Sequence, residues 1–165
     1  AVTGGFHGRK AAAAAVTWKS DNWYGFPHKP FDVDFIPRDD TDRASDMIDS
    51  DVAAVIVEPV QGVAGAFDLS GTFLKTLRDE TRGHGAIMIA DEVQTGMGRS
   101  GEFFACAVHD IEPDILTTAK SLAGGLPAGA VSYWRFLRAR GCVGPCERRR
   151  WAQPRAPRLS GRRRT

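Results

Sequence analysis

Two continuous apolar runs, Val52-Ala53-Ala54-Val55-Ile56-Val57 and Ala86-Ile87-Met88-Ile89-Ala90, bracket an amphipathic segment. Apolar runs of this length, without polar alternation, suit strands covered on both faces, as in a parallel sheet. Between them Ser70 is placed to cap a helix reaching about Arg82, with Phe73, Leu74 and Leu77 on one face and Gly83 just past its end. Ile115-Leu116-Thr117 is a third, weaker run. Buried strands separated by helices predict an α/β fold with a mostly parallel sheet flanked by helices. Upstream, Phe31-Asp32-Val33-Asp34-Phe35 alternates at period two and predicts a half-buried strand ending at Pro37. Asp39 to Ser50 reads as helix, with Ala44, Met47 and Ile48 at helical spacing.

Charge divides the chain of 165 residues into two unlike parts. From Ser132 to Thr165 there are eleven Arg, no Lys and one Glu, a balance of +10. The preceding residues carry eleven basic and nineteen acidic side chains, a balance of −8. The Arg-rich segment has no apolar periodicity after about Leu137, so it is expected to be disordered. Its Arg/Pro/Gly/Cys/Trp composition is also what an out-of-frame reading of a GC-rich gene yields. No stretch approaches eighteen consecutive apolar residues, which argues against a membrane-spanning helix. The opening residues show no signal-peptide pattern. Three Cys and four scattered His give no metal-ligand spacing.

In parallel sheets, ligands sit outside the carboxyl ends of the strands. The first run ends at Glu58-Pro59, the second at Asp91-Glu92, and Lys120 follows the third. Three ionisable groups from separate strand ends are thus candidates for one pocket. Gly96-Met97-Gly98-Arg99-Ser100-Gly101 fits the glycine spacing of dinucleotide-binding loops. Asp91 to Thr95 separate it from the strand, however, so that reading is rejected.

Four motifs stand in order along the chain: Phe6-His7-Gly8-Arg9, Val57-Glu58-Pro59-Val60-Gln61-Gly62, Asp91-Glu92-Val93-Gln94-Thr95-Gly96-Met97-Gly98-Arg99-Ser100-Gly101, and Pro113 to Lys120. Together they resemble the class III pyridoxal-phosphate-dependent aminotransferases, over Ala1 to about Val131. The resemblance implies the central part of the large domain of a fold-type I enzyme. The implied cofactor is pyridoxal 5′-phosphate, and the implied reaction moves an amino group from an amino donor to a 2-oxo acid. It implies that Lys120 holds the cofactor aldehyde as a Schiff base and then shuttles a proton. It also implies that Asp91 faces the pyridine nitrogen and favours its charged form. By the same resemblance Gln94 contacts the ring hydroxyl, Phe6 stacks on the ring, His7 lies beside it, and Glu58 lines the substrate side. A cytoplasmic homodimer with ornithine-like, acetylornithine-like or ω-amino-acid donors follows from the family.

The sequence departs from the family in several places. The family's phosphate-binding Gly-Ser/Thr-Glu-Ala-like turn, its Gly-Thr-Phe-Gly-Gly-like segment and the carboxylate-binding Arg of its small domain have no counterpart here. Val63 stands after Gln61-Gly62, where ornithine-type members often carry an acidic residue. The expectation is an incomplete large domain over residues 1–131, of low or no activity, followed by an unrelated segment over 132–165. The alternative is a non-catalytic remnant whose basic segment binds nucleic acid nonspecifically.

Overall fold

The computed structural model describes residues 1–25 and 28–133. In chain order the elements are helices α1 (Ala11–Ala15) and α2 (Thr41–Met47), strand β1 (Ala54–Val57), a small hairpin of β2 (Val60–Gln61) and β3 (Phe67–Asp68), helix α3 (Gly71–His84), and strands β4 (Ile87–Asp91), β5 (Ile115–Thr118) and β6 (Ala130–Tyr133). The main sheet has the order β1-β4-β5-β6. β1, β4 and β5 run parallel, and β6 pairs antiparallel with β5. The expected α/β architecture with a mostly parallel sheet is therefore present.

The apolar runs fold as strands, with one refinement. Val55, Val57, Met88 and Ala90 are buried, whereas the alternate residues Ile56, Ile87 and Ile89 are half-buried. One face of these strands is thus packed more tightly than the other. Helix α3 packs on β1 and β4, and α2 packs on α3. Phe73, Leu74 and Leu77 are each no more than 1% exposed, and burial of each such side chain stabilises by roughly 1.5–3 kcal/mol. A bidentate pair from Arg78 of α3 to Asp114 ties helix to sheet, at 2.6 and 3.1 Å, and Asp114 also accepts the Met88 N–H of β4 at 2.9 Å.

The helix limits follow local chemistry. Ser70 accepts the Phe73 N–H at 3.2 Å and caps α3, as its position suggests. The helix runs past the expected stop at Gly83 and ends on Gly85, whose φ of 74° is the left-handed closure that glycine adopts readily. Asp40 caps α2 through the Arg43 N–H at 2.9 Å, and Ala44 is its buried contact.

The strand expected over Phe31–Phe35 does not form. Phe31 is exposed, and the segment meets the chain start only near its end, where Asp34 O accepts from the Ala1 amino group at 2.8 Å and Ile36 forms an isolated parallel bridge to Val2. Phe35 instead lies edge-on to Trp18, with ring centroids 5.0 Å apart. Side-chain packing satisfies that alternation without a backbone ladder. At the other end β6 runs through Val131, with Ser132 and Tyr133 opposite Leu116 and Ile115. The rest of the Arg-rich segment, with its expected disorder, lies outside the described residues. No helix among the described residues is long and apolar enough to cross a membrane.

Candidate active site

Sheet register places the ionisable groups. Val57 of β1 pairs with Ala90 of β4, and Asp91 pairs with Thr117 of β5. Glu58, Asp91 and Thr117 therefore lie in one row at the carboxyl edge of the parallel strands. Ligands bind at this edge in parallel sheets.

Asp91 is the best-held member of the row. It is 6% exposed and accepts three hydrogen bonds. Its Oδ1 takes the Val93 N–H and the Thr117 hydroxyl, both at 3.2 Å, and its Oδ2 takes His7 Nδ1 at 2.8 Å. A carboxylate offers about four lone-pair positions. One position on Oδ2 is thus left for a further N–H donor.

His7 is in turn fixed from its backbone, whose N–H donates to Thr17 Oγ1 at 2.9 Å. Its Nε2 is buried without a partner among the described residues. It lies close to Gly5, where an added Cβ would stand 2.9 Å from it. The next residue back, Phe6, donates its N–H to Glu58 Oε2 at 2.8 Å. The Phe-His pair thus bridges two strand ends, one through each residue. Phe6 also sets its ring near Trp23, at 6.3 Å between centroids.

Glu58 is 3% exposed. Burial pushes its carboxyl above the usual carboxylate range. The Phe6 N–H, His7 and Lys120 oppose the rise, and the charge of Asp91 adds to it. Lys120 follows β5 on the same edge and is exposed. Its φ of 40° is left-handed, uncommon for a residue with a long side chain. It forms no ion pair among the described residues.

The structure therefore joins Phe6, His7, Glu58 and Asp91 by direct hydrogen bonds and sets Lys120 within electrostatic reach of Glu58. Gln94 is not bonded to this cluster. Its carboxamide instead lies against Gly62 of the Glu-Pro-Val-Gln-Gly motif.

Three supporting residues carried no assignment in the sequence. Thr117 and Thr17 hold Asp91 and His7, and neither has a distinguishing sequence signal. Glu92 is fully buried, and its carboxylate accepts the Thr95 hydroxyl and the N–H groups of Ala105 at 3.0 Å and Cys106 at 2.8 Å. An acidic residue directly after a buried strand was its only signal. Burial and the Glu92 charge together push the Cys106 thiol well above its ordinary range, so it is an inert core thiol.

A cavity of about 530 Å³ opens beside the cluster, walled by Phe6, Trp18 and Trp23, with Val63 and the cations Lys19 and Arg38 also lining it. Of the six candidate residues, Phe6 alone lines this cavity.

A parallel α/β sheet with interlinked ionisable groups along its carboxyl edge is the architecture in which α/β enzymes place their ligands. The sequence model for class III aminotransferases matches residues 1–137. The chain belongs to that family. It is 47% identical over 132 residues to the acetylornithine aminotransferase of Methanopyrus kandleri, covering 79% of this chain and 33% of the relative. To the acetylornithine aminotransferase of Corynebacterium efficiens it is 43% identical over 133 residues, with the same coverage, 79% and 33%. Among solved structures it resembles the ornithine aminotransferase of Toxoplasma gondii, with a TM-score of 0.76 and 30% identity, covering 87% of this chain and 35% of that one. The (S)-enantioselective ω-transaminase of Thermomicrobium roseum aligns with a TM-score of 0.76 and 26% identity, covering 84% and 36%. The chain thus spans about a third of the length of the curated relatives it matches.

Proposed function

We propose that residues 1–131 are part of the cofactor-binding large domain of a pyridoxal-phosphate-dependent aminotransferase. The observation that carries this reading is the cluster at the strand ends: Asp91, clamped by His7, Thr117 and Val93, keeps one acceptor position open. That donor set fits the cofactor, whose pyridine N–H needs a buried anionic acceptor. When bound, the cofactor supplies an electron sink and an amine carrier.

This chain's own residues have separate tasks in that reading. Asp91 holds the proton on the ring nitrogen, and His7 orients Asp91 and donates to it. Lys120 holds the cofactor through its amine and, once released, moves a proton to and from the substrate carbon. Phe6 presents its ring to the cofactor face, and Gln94 offers a carboxamide to the ring hydroxyl. Glu58, protonated more readily than an ordinary carboxylate because of its burial, lines the substrate side.

The substrates in this reading are an amino donor and a 2-oxo acid. Both curated relatives are named acetylornithine aminotransferases, which supports a donor of that type. Val63, half-exposed in the cavity beside Phe6, weakens an ornithine-type reading, because no acidic side chain follows Gln61-Gly62, and a second reading takes an ω-amino-acid donor. A homodimer in the cytoplasm belongs to the same proposal, supported by family membership. Binding of nucleic acid finds no support in the family match or in the described residues.

Mixing the chain with pyridoxal phosphate and then with single amino acids tests the proposal. The expected result is a visible absorption band that N-acetylornithine bleaches faster than ornithine or β-alanine. Fastest bleaching by β-alanine selects the second reading, and a band that Lys120→Ala leaves unchanged refutes the proposed cofactor site.

A further inference from the structure

Glycines in and near the site motifs are called for by different constraints. A side chain on Gly96 would meet the backbone carbonyl of Glu92 at 2.8 Å, a rigid obstacle. Gly4 and Gly65 have φ of 84° and 100°, so their backbone alone calls for glycine. Gly62 fits neither description. Its φ is not in the left-handed region, and the three atoms nearest to an added Cβ all belong to the Gln94 side chain. That Cβ would stand 2.9 Å from Nε2, 3.1 Å from Cδ and 3.3 Å from Cγ. Gln94 itself is exposed and free to swing outward. An added methyl would therefore move the carboxamide at little cost in stability. The requirement for glycine is one of placement.

The loop that carries Gln94 is held firmly on its other side. Glu92 gathers Thr95, Ala105 and Cys106 onto one buried carboxylate. Its own N–H donates to Thr117 O at 2.9 Å, and its carbonyl accepts the Gly96 N–H at 2.9 Å. With the backbone so pinned, the remaining freedom at Gln94 lies in its side chain, and Gly62 leaves open the space that its carboxamide fills. Two motifs some thirty residues apart thus meet at one contact.

We propose that Gly62 is a positioning residue: by lacking a side chain it forms the seat for the Gln94 carboxamide beside the strand-end cluster, with Glu92 anchoring the loop behind it. The consequence for cofactor binding rests on the function proposed above, whereas the seat itself does not.

Two readouts separate these. In the chain without cofactor, the Gln94 side-chain amide resonances, assigned by their loss in Gln94→Ala, are compared with those in Gly62→Ala. The expected result is a displaced Gln94 signal with the melting temperature within about 2 °C of the parent. With pyridoxal phosphate added, Gly62→Ala and Gln94→Ala each weaken binding by about tenfold, the effect of losing one well-placed hydrogen bond to a polar ring group. The double variant is no weaker than either single one, because both changes remove the same contact. Unmoved Gln94 resonances in Gly62→Ala overturn the seat, as does a fall in melting temperature like that of a core clash. Moved resonances with unchanged cofactor affinity in both single variants support the seat and refute the cofactor contact of Gln94.

Discussion

Exchange of Glu92 for Gln keeps the size and shape of a fully buried side chain while changing one acceptor oxygen into a donor. In the parent, one oxygen accepts the Cys106 N–H and the other accepts the Ala105 N–H and the Thr95 hydroxyl. The least costly orientation turns the new NH₂ toward Cys106, since the Thr95 hydroxyl and Ala105 then keep their acceptor. Two donors then face each other at a 2.8 Å separation around a fully buried side chain. A hydrogen bond to a charged group contributes about 1.5–3 kcal/mol, and a stranded buried donor costs about 1–3 kcal/mol. Easier desolvation of a neutral amide offsets part of this, leaving a loss of about 3 kcal/mol. For a domain of this size that corresponds to a fall of roughly 10 °C in melting temperature. Thermal unfolding followed by far-ultraviolet circular dichroism measures it. A fall of less than about 3 °C would show that Glu92 is not the anchor of the loop and refute the reasoning.

Other consequences follow from the same geometry. Arg78→Met leaves Asp114 buried with the Met88 N–H as its one remaining donor among those described. The expected loss is about 3–5 kcal/mol, read from urea unfolding midpoints; paired replacement of Arg78 and Asp114 by apolar residues restores most of it. Because burial raises the Glu58 carboxyl above its ordinary value, the folded state holds this proton more tightly than the unfolded chain. Its contribution is therefore fully present below the ordinary carboxylate value and is lost as pH rises through the raised one. Glu58→Gln flattens that part of the stability–pH curve, and an unchanged slope contradicts the assignment.

Patterns that depend on near neighbours in the chain were legible. The runs at Val52–Val57 and Ala86–Ala90 announced β1 and β4, and Ser70 announced the start of α3, because burial on a sheet and capping are local effects. The strand expected at Phe31–Phe35 failed because alternation records side-chain burial without naming a partner strand, and Trp18 supplied that burial instead. The hairpin strands β2 and β3 have two residues each, too few for a period to register. Glu58, Asp91 and Lys120 were visible as reactive residues at or just after strand ends. The His7–Asp91 bond, 84 positions apart in sequence, and the Gly62–Gln94 contact depend on tertiary packing, which no local pattern reports.

Covalent mapping of the cofactor tests the central claim most directly. The chain is mixed with pyridoxal phosphate, reduced with borohydride, digested and analysed by mass spectrometry. One cofactor adduct per chain, located on Lys120 and absent from Lys120→Ala, is the result predicted. An adduct spread over exposed lysines such as Lys19 and Lys75, unaffected by Lys120→Ala or by Asp91→Asn, would contradict the assignment of this strand-end cluster as the cofactor site.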